Sequence, residues 1–294
     1  MTIDISLPFW GDPRMLFQTV ASVQAQTDRD WRLRVIDDAY PDEAVPAWFA
    51  GLDDERISYV RNERNVGIIE NFRTSIRLAE ADHVVVLGSD DLLHPDFVAV
   101  AHRAIAAHPD ADIIQPGVRV IDEHDDPVLP LADRVKRMLA PDTRAGAVRL
   151  HGEQLATSLV TGDWLYWPSL ILRTDTVKAH DFRDDLPIAL DLAILLDIVF
   201  DGGVLVAVPD VVFDYRRHTA SASQQSLLDG RRFNDDRRFH GEIAARAKAL
   251  GWRSTERAAR WRLIGRLHAL AESPHVLRHG TLDGRRALWR SILR

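Results

Sequence analysis

Hydrophobic positions in the first 125 residues follow two alternating periods. Apolar, β-branched runs, which are typical of strands, occur at residues 3–8, 31–38, 56–62, 83–88 and 111–121. Between them, apolar residues recur at helical spacing, as in Leu16, Val20 and Val23 and again in Ile69, Phe72, Ile76 and Ala79. This alternation predicts an α/β fold with a mostly parallel sheet flanked by helices, and with ligands bound at the carboxyl ends of the strands.

The second half is patterned differently. Residues 122–150 mix charge, proline and short apolar pieces, which indicates a connecting or mobile segment. A helix at 152–160, a strand at 169–173, a helix at 187–200 and a pair of short strands within 202–218 are expected to follow. We therefore divide the chain into an α/β domain (1–223, with halves 1–125 and 126–223) and a helical C-terminal extension (224–294).

The composition is that of an ordinary soluble globular protein, with 46% apolar and 28% charged residues. Because the chain has no cysteine, disulfides and thiolate metal sites are excluded, which fits a reducing compartment. No apolar run approaches the length that spans a bilayer, and no secretory signal is visible. We therefore expect a cytoplasmic protein.

Charge is distributed unevenly along the chain. Residues 231–294 carry 16 Lys or Arg against 6 Asp or Glu, whereas residues 1–230 carry 21 against 38. The acidic part is a poor surface for nucleic acid, so we expect no nucleic-acid partner. At the end of the chain, Arg286, Arg290 and Arg294 recur every four residues beside an apolar face that contains Leu288 and Trp289. We expect a terminal helix docked on the domain, and the alternative is peripheral contact with the inner face of the cell membrane.

Two pairs of aspartates follow predicted strands. In "VVVLGSDDLLHPDF" (84–97), Asp90 and Asp91 suit a Mg²⁺ or Mn²⁺ ion that also binds phosphate oxygens, because such an ion would relieve their repulsion. The alternative is that Asp91 or Ser89 only caps the next helix. In "VIDDAYPDE" (35–43), Asp37 and Asp38 could accept hydrogen bonds from a base or ribose, and turn formation is the alternative.

Two features of the second half suggest acceptor chemistry. Asp191 falls within the apolar stripe of the helix at 187–200, and burial would raise the pKa of its carboxyl toward that of a general base. The alternative is a buried structural aspartate bonded to a backbone amide or an arginine. In "TGDWLYWPSLILR" (161–173), Trp164, Tyr166 and Trp167 could form a wall for a sugar, or they could belong to the core.

Five motifs in order resemble the family 2 glycosyltransferases of GT-A fold, a Rossmann-like architecture. They are the opening strand, the "SVQAQT" helix end, the "VIDD" strand end, the "NVG" turn and the aspartate pair before "LLHPDF". The resemblance covers residues 3–125 closely and continues more loosely to about residue 223. It implies a nucleotide-sugar-dependent enzyme.

The resemblance also implies roles for individual residues. Asp38 would contact a uracil or thymine base, Asp90 would lie near the ribose, and Asp91 would bind a metal, Mn²⁺ or Mg²⁺, that bridges the diphosphate. The other implied donor-binding positions are Pro8, Phe9, Trp10 and Asn65. This chain departs from the common Asp-x-Asp-Asp form, because Gly88 occupies the first acidic position.

In "FDYRRHTASAS" (213–223), the resemblance implies that His218 is a further metal ligand and that Arg216 or Arg217 contacts phosphate. It also implies that Asp191 is the catalytic base of an inverting reaction. Trp164 and Trp167 remain candidates for the acceptor or the donor sugar.

The expected function is transfer of a sugar from a UDP- or dTDP-sugar to a hydroxyl of a glycan or lipid-linked acceptor, in polysaccharide or glycolipid biosynthesis. A non-catalytic nucleotide-sugar or glycan-binding module on the same scaffold is the alternative, and Gly88 is its main support. A dinucleotide-dependent oxidoreductase is disfavoured, because "PFWGDP" follows the first strand where a glycine-rich fingerprint would be needed.

Overall fold

The computed structural model describes residues 1–186, 189–217 and 228–293. The strands of these residues are β1 (Ile3–Phe9), β2 (Trp31–Asp37), β3 (Ile57–Arg61), β4 (His83–Val86), β5 (Leu92–Leu93), β6 (Ile113–Ile121), β7 (Val148–His151), β8 (Ile171–Arg173) and β9 (Val204–Arg216). They form one sheet in the order β3-β2-β1-β4-β8-β6-β9-β5, with β7 paired to β9.

Helices flank this sheet and continue beyond it. They are α1 (Pro13–Gln24), α2 (Ala44–Ala50), α3 (Ile68–Arg77), α4 (Phe97–Ala107), α5 (Leu131–Leu139), α6 (Gly152–Thr161), α7 (Thr174–Lys178), α8 (Leu190–Phe200), α9 (Arg231–Ala249), α10 (Arg253–Trp261), α11 (Leu263–His279) and α12 (Leu282–Leu293). A short 3₁₀ helix spans Trp167–Ser169.

The first half of the sheet is parallel throughout. β1 pairs with β2 and β4, and β2 pairs with β3, all in parallel register. β8 then runs antiparallel between β4 and β6, while β9 runs parallel to β6 and antiparallel to β5 and β7. The carboxyl ends of β1, β2 and β4 therefore meet at one edge, and β9 is linked to that edge through β5.

Alternating side chains of the central strands pack into separate cores on the two faces of the sheet. On β4, Val85 packs with α1, α2 and α4, whereas Val84 and Val86 pack with α3, α6 and α8. This two-sided burial explains why the central strands read as nearly continuous apolar runs in the sequence.

The C-terminal helices continue the second of these cores. Phe239 and Ile243 of α9 belong to the same apolar cluster as α6 and α8. Helices α11 and α12 instead form a small separate cluster with α9, through Phe233, Ala269, Val276, Ala287 and Leu288. The expected domain boundary at 223/224 lies outside the described residues.

The five strands expected in residues 3–121 are confirmed, as are the helices at 152–160 and 187–200, which is described from Leu190. Two expectations for the second half are wrong. Residues 204–216 form one strand with an irregular register rather than two short strands, because β6 pairs along nearly its whole length. The segment 122–150 is not merely a connection, since it contains α5 and most of β7. None of the helices in the described part of the chain combines the length and apolar content needed to cross a bilayer.

Candidate active site

The acidic tip after β4, residues 88–91, is held in place from both sides. The Asp91 carboxylate is buried, and its Oδ1 accepts a hydrogen bond from the backbone N–H of Arg216 at 2.8 Å. The Thr19 hydroxyl on α1 donates to the Asp91 carbonyl at 2.8 Å. Burial, and secondly the negative charge of Asp90, raises the pKa of Asp91 well above its usual range. The tip is thus held rigidly by hydrogen bonds from α1 and β9, with its two carboxyl groups next to each other in sequence.

Family-like motifs that are distant in sequence explain this rigidity. The Gln26 side chain at the end of α1 donates to the His94 carbonyl at 2.8 Å and accepts from the Val98 N–H at 3.0 Å. The Thr27 N–H donates to the Pro95 carbonyl at 2.9 Å. The "QAQT" and "LLHPDF" segments therefore clamp each other beside the tip.

Arg216 is buried against the same tip. Its guanidinium donates to the Asp90 carbonyl at 2.7 Å, to the Asp122 carbonyl at 3.1 Å and to the Asp125 carboxylate. The hydrogen bonds of this guanidinium are thus made to other residues of the protein, and they link the tip to the turn at 122–125. The sequence predicted a phosphate contact for Arg216 or Arg217, and these interactions give Arg216 a positioning role.

The donors at this tip fit a divalent cation. Asp90 and Asp91 supply carboxylate oxygens, and one or two carboxylates completed by phosphates and water are typical of Mg²⁺ sites. Burial and the neighbouring charge of Asp90 disfavour the ionised form of Asp91, and a bound cation would favour it. Within the described residues, no group of three or more His, Cys, Asp or Glu side chains is placed to hold a metal. The expected third ligand, His218, lies outside the described residues.

Asp38, at the end of β2, organises the neighbouring turn. Its buried carboxylate accepts hydrogen bonds from the Val66 N–H at 2.8 Å, the Gly67 N–H at 2.9 Å and the Asn62 side chain at 2.9 Å. Gly67 has φ 86°, a conformation that favours glycine, and α3 begins directly after it. Asn65 is exposed on this turn. Asp38 therefore shapes the loop that borders the expected base pocket.

Aromatic rings border the same edge at the end of β1. Phe9 is fully buried, and its ring centroid lies 5.0 Å from that of Tyr40. It therefore packs in the core beneath this edge of the sheet and is not open to a ligand. Trp10 is 53% exposed and meets Tyr40 edge-on at 5.4 Å. Pro8 is partly exposed beside them. Trp10 and Pro8 are therefore the members of this group that a ligand could touch.

Asp191 lies in the first turn of α8. Its carboxylate accepts a hydrogen bond from the Leu192 N–H at 2.8 Å and is partly exposed by surface area. The surrounding protein nevertheless desolvates it, and together with the nearby charge of Asp163 this raises the pKa of Asp191 to about 6, against the opposing effects of the Leu192 hydrogen bond and the charge of Lys136. Such a carboxyl is ionised at neutral pH but holds its proton more strongly than a surface aspartate, which suits a general base.

Two partners of Asp191 were missed in the sequence. Asp163 lies in the "TGDWLYW" stretch, where only the aromatic residues drew notice. Lys136 on α5 places its Nζ 2.6 Å from the Leu165 carbonyl and 3.5 Å from Asp163 Oδ2. The sequence offered one signal for this pair. Asp133 and Lys136 are three residues apart, a spacing typical of one helix face, within the segment that was predicted to be a connection.

A polar network joins α5 to the end of β9. The Asp133 carboxylate, which is buried, accepts from Arg217 Nε at 3.1 Å, from Arg217 Nη2 at 2.8 Å and from the Tyr166 hydroxyl at 2.9 Å. Arg217 also lies over the Tyr215 ring, 5.1 Å from its centroid. Arg217, expected at the phosphates, is thus paired with α5.

Tyr215 lies on β9 within electrostatic range of both acidic centres. Burial raises the pKa of its hydroxyl to about 12; the positive charge of Arg217 opposes this shift, and the charges of Asp91, Asp90 and Asp191 add to it. Its ring centroid is 5.0 Å from that of Tyr166. The tip and Asp191 are thus both near enough to Tyr215 to affect the pKa of its hydroxyl.

Trp164 and Trp167 belong to the hydrophobic core, which was the alternative to a sugar-binding wall. Both are buried in the apolar cluster around α6 and α8. The Trp164 ring nitrogen donates to the Ser158 hydroxyl at 3.0 Å, and the Trp167 ring packs against Phe182. Neither ring forms an open sugar wall.

A cavity of about 390 Å³ lies at the opposite, amino-terminal edge of the sheet, lined among others by Asp30, Arg32 and Arg56. Ligands of open α/β sheets bind at the carboxyl edge, so this cavity is not the donor site.

Comparison with known proteins agrees with this geometry. The model of glycosyl transferase family 2 matches residues 4–149. An uncharacterized protein of Sinorhizobium fredii is 32% identical over 115 residues, and WcaA of Escherichia coli, named as a colanic acid biosynthesis glycosyl transferase, is 27% identical over 104 residues. These matches cover 38% and 34% of this chain but 13% and 37% of the two proteins, so the chain spans less than two thirds of either relative.

Solved structures show the same fold over nearly the whole chain. The structure of S. aureus TarS 1-349 in complex with UDP-GlcNAc superposes with a TM-score of 0.73 at 13% identity and covers 99% of this chain and 79% of that one. The complex of the same protein with UDP gives a TM-score of 0.71 at 13% identity and covers 100% and 81%.

Proposed function

Residues 4–149 place this chain in glycosyl transferase family 2, and we propose that it transfers a sugar from a UDP- or dTDP-sugar to an acceptor hydroxyl with inversion at the anomeric carbon. The observation that carries this proposal is the presence of two acidic centres, the Asp90–Asp91 tip held by Thr19 and Arg216 and Asp191 in the first turn of α8. One acidic centre suits the diphosphate end of a donor, and the other suits the incoming acceptor.

The donor would lie along the carboxyl edge of β1, β2 and β4. Trp10, Pro8 and the turn shaped by Asp38 would border the nucleoside, and Asp90 would lie near the ribose. The TarS complexes hold UDP-GlcNAc and UDP on the same fold, which supports a uridine donor here.

Asp90 and Asp91 would hold Mn²⁺ or Mg²⁺ at the tip. When bound, such an ion supplies charge neutralisation for a departing diphosphate. Arg216 and Thr19 would keep the two carboxylates in place, since both hold the backbone or the buried oxygen of the tip.

Asp191 would act as the base. As the acceptor oxygen forms its bond to the anomeric carbon, the bond from that carbon to the diphosphate oxygen breaks, and the hydroxyl proton passes to Asp191. A pKa of about 6 leaves this carboxylate ionised at neutral pH and ready to take the proton. A single base with direct displacement gives inversion.

The acceptor is proposed to be a glycan or a lipid-linked saccharide. The name of WcaA ties one relative to polysaccharide biosynthesis, which supports an acceptor of this class. We propose a cytoplasmic location, which fits the absence of cysteine.

A thermal-shift screen tests the donor proposal. UDP, dTDP, GDP and ADP, and sugars of the first two, would be added with and without Mn²⁺. A ligand that binds the folded state raises the melting temperature. We expect the largest rise for UDP or dTDP with Mn²⁺ and its loss in Asp90→Asn/Asp91→Asn. Equal responses to all four nucleotides, or no effect of Mn²⁺, would contradict the proposal.

A further inference from the structure

Helix α11 exposes a continuous apolar stripe. Leu263, Leu267, Leu270 and Leu277 recur at spacings of four, three and seven residues, which places them on one face. Each is between 39% and 59% exposed. The opposite face, with Ala269 and Val276, is the one that packs into the small C-terminal cluster. The stripe therefore has no partner within the described chain, although its spacing is that of a packing surface.

The charges around this stripe are of one sign. Arg266 lies on one flank of the stripe and is partly exposed. Arg278 lies on the other flank and is exposed. The acidic residue of α11, Glu272, points away from the stripe, half a helical turn round. Two copies of this helix packed along the stripe would bring like charges together at the positions that decide pairing in coiled coils. This arrangement disfavours a second copy as the occupant.

Helix α12 repeats the arrangement. Leu282, Trp289 and Leu293 share one exposed arc with Arg286 and Arg290, while Leu288 on the other side is buried. Asp283 offsets part of this charge through an ion pair of 3.5 Å with Arg286. The helix expected at 285–294 thus docks through Leu288, and it also presents a mixed apolar and basic surface. Its last arginine, Arg294, lies outside the described residues.

Exposed tryptophans accompany both helices. Trp261, the last residue of α10 and two positions before the start of α11, is 70% exposed, and Trp289 on α12 is 48% exposed. Tryptophan is favoured where a surface meets both apolar chains and polar headgroups. Helices that lie in a membrane interface typically carry leucines on the buried face and arginines beside them, whose long side chains extend to the lipid headgroups.

We propose that α11 and α12 form a docking face for an anionic lipid bilayer. The leucines and tryptophans would enter the boundary between headgroups and acyl chains, and the arginines would pair with lipid phosphates. This inference is independent of the sugar-transfer chemistry, because no residue of the face belongs to the candidate active site.

Vesicle co-sedimentation tests the docking face. The full chain would be mixed with vesicles of phosphatidylcholine alone or of phosphatidylcholine with phosphatidylglycerol. We expect binding to the anionic vesicles only, weakened at about 0.5 M salt. Leu267→Ser/Leu270→Ser should lower the partition coefficient by about tenfold, because apolar burial is lost. Arg278→Gln/Arg286→Gln should lower it through lost charge.

Matched variants separate this effect from general changes. Leu250→Ser removes a leucine of similar exposure (49%) at the end of α9, and Arg103→Gln/Arg144→Gln removes the same charge elsewhere. Both should bind like the wild type, and all variants should keep the wild-type response to UDP with Mn²⁺. Binding that is equal on neutral vesicles, or that tracks net charge alone, would overturn the proposal. So would a dimer, seen by light scattering, that Leu267→Ser/Leu270→Ser dissolves.

Discussion

The Asp91 carboxylate folds back over Gly88. A β-carbon at position 88 would lie 3.2 Å from Asp91 Cγ, closer still to its Oδ2, and 3.1 Å from Asp90 Oδ1. The glycine in the first acidic position of the family pattern is thus a steric requirement of this tip, because any side chain there would displace the Asp91 carboxylate.

Gly88→Ala should therefore disturb the tip more than a single methyl group would suggest. We expect a loss of about 1–3 kcal/mol of stability through overpacking and a fall in transfer activity of about a hundredfold through misplaced carboxylates. Gly51→Ala is the control, since a β-carbon there would be 3.6 Å from its nearest neighbour, an ordinary contact. Thermal melts and steady-state rates measure both, and a fully active Gly88→Ala enzyme would refute the steric explanation.

Asp191→Asn should remove the base without removing the donor site. We expect kcat to fall by about 10²–10⁴-fold, with an unchanged thermal response to UDP and Mn²⁺. Asp197→Asn is the matched control on the same helix, because Asp197 pairs with Arg246. Activity close to wild type in Asp191→Asn would assign the base elsewhere.

The pH dependence of kcat should shift in opposite directions in two variants. Asp163→Asn removes a negative neighbour, so the ionised form of Asp191 becomes less costly and its pKa falls from about 6. The acid limb of the profile then moves to lower pH. Lys136→Gln removes a positive neighbour, so the pKa of Asp191 and the acid limb move upward. A shift of the same sign in both variants would show that Asp191 does not govern that limb.

Asp133→Ala should loosen α5. The change leaves Arg217 and Tyr166 without their shared acceptor, which costs about 1–3 kcal/mol. Hydrogen exchange across residues 131–139 should become faster as the helix opens more often. Asp142→Ala breaks an exposed pair with Arg144 and should leave the melting temperature unchanged. Unaltered exchange in Asp133→Ala would mean that other contacts hold α5.

The sequence predicted the parallel half of the sheet and the position of its acidic ends. Val84 to Val86 form a buried apolar run, and Ile3, Ile5 and Leu7 are buried apolar residues at alternate positions, so both patterns mark strands directly. Asp38 and Asp90 then follow at the carboxyl edge by topology alone. These features depend on local pattern, which a sequence displays.

The rest of the site depends on contacts between distant segments. Lys136 meets Asp163 only because α5 packs back on the residues after α6, 27 positions later. Arg216 looked free to bind phosphate, yet its guanidinium is taken up by the turn at 122–125. Trp164 and Trp167 looked suited to sugar, and burial places them in the core. Residue spacing in the sequence does not show which polar side chains will form hydrogen bonds with segments that are distant in sequence but close in the fold.

Three consecutive residues, Tyr215 and Arg216 at the end of β9 and Arg217 directly after it, interact with the tip, with Asp191 and with α5. Tyr215 senses the tip and Asp191, the Arg216 backbone binds Asp91, and Arg217 anchors α5 through Asp133. Since neighbouring side chains of a strand point to opposite faces, a slip of one position would exchange all three roles at once. The register of this one segment therefore sets the contacts of the tip and of α5 together.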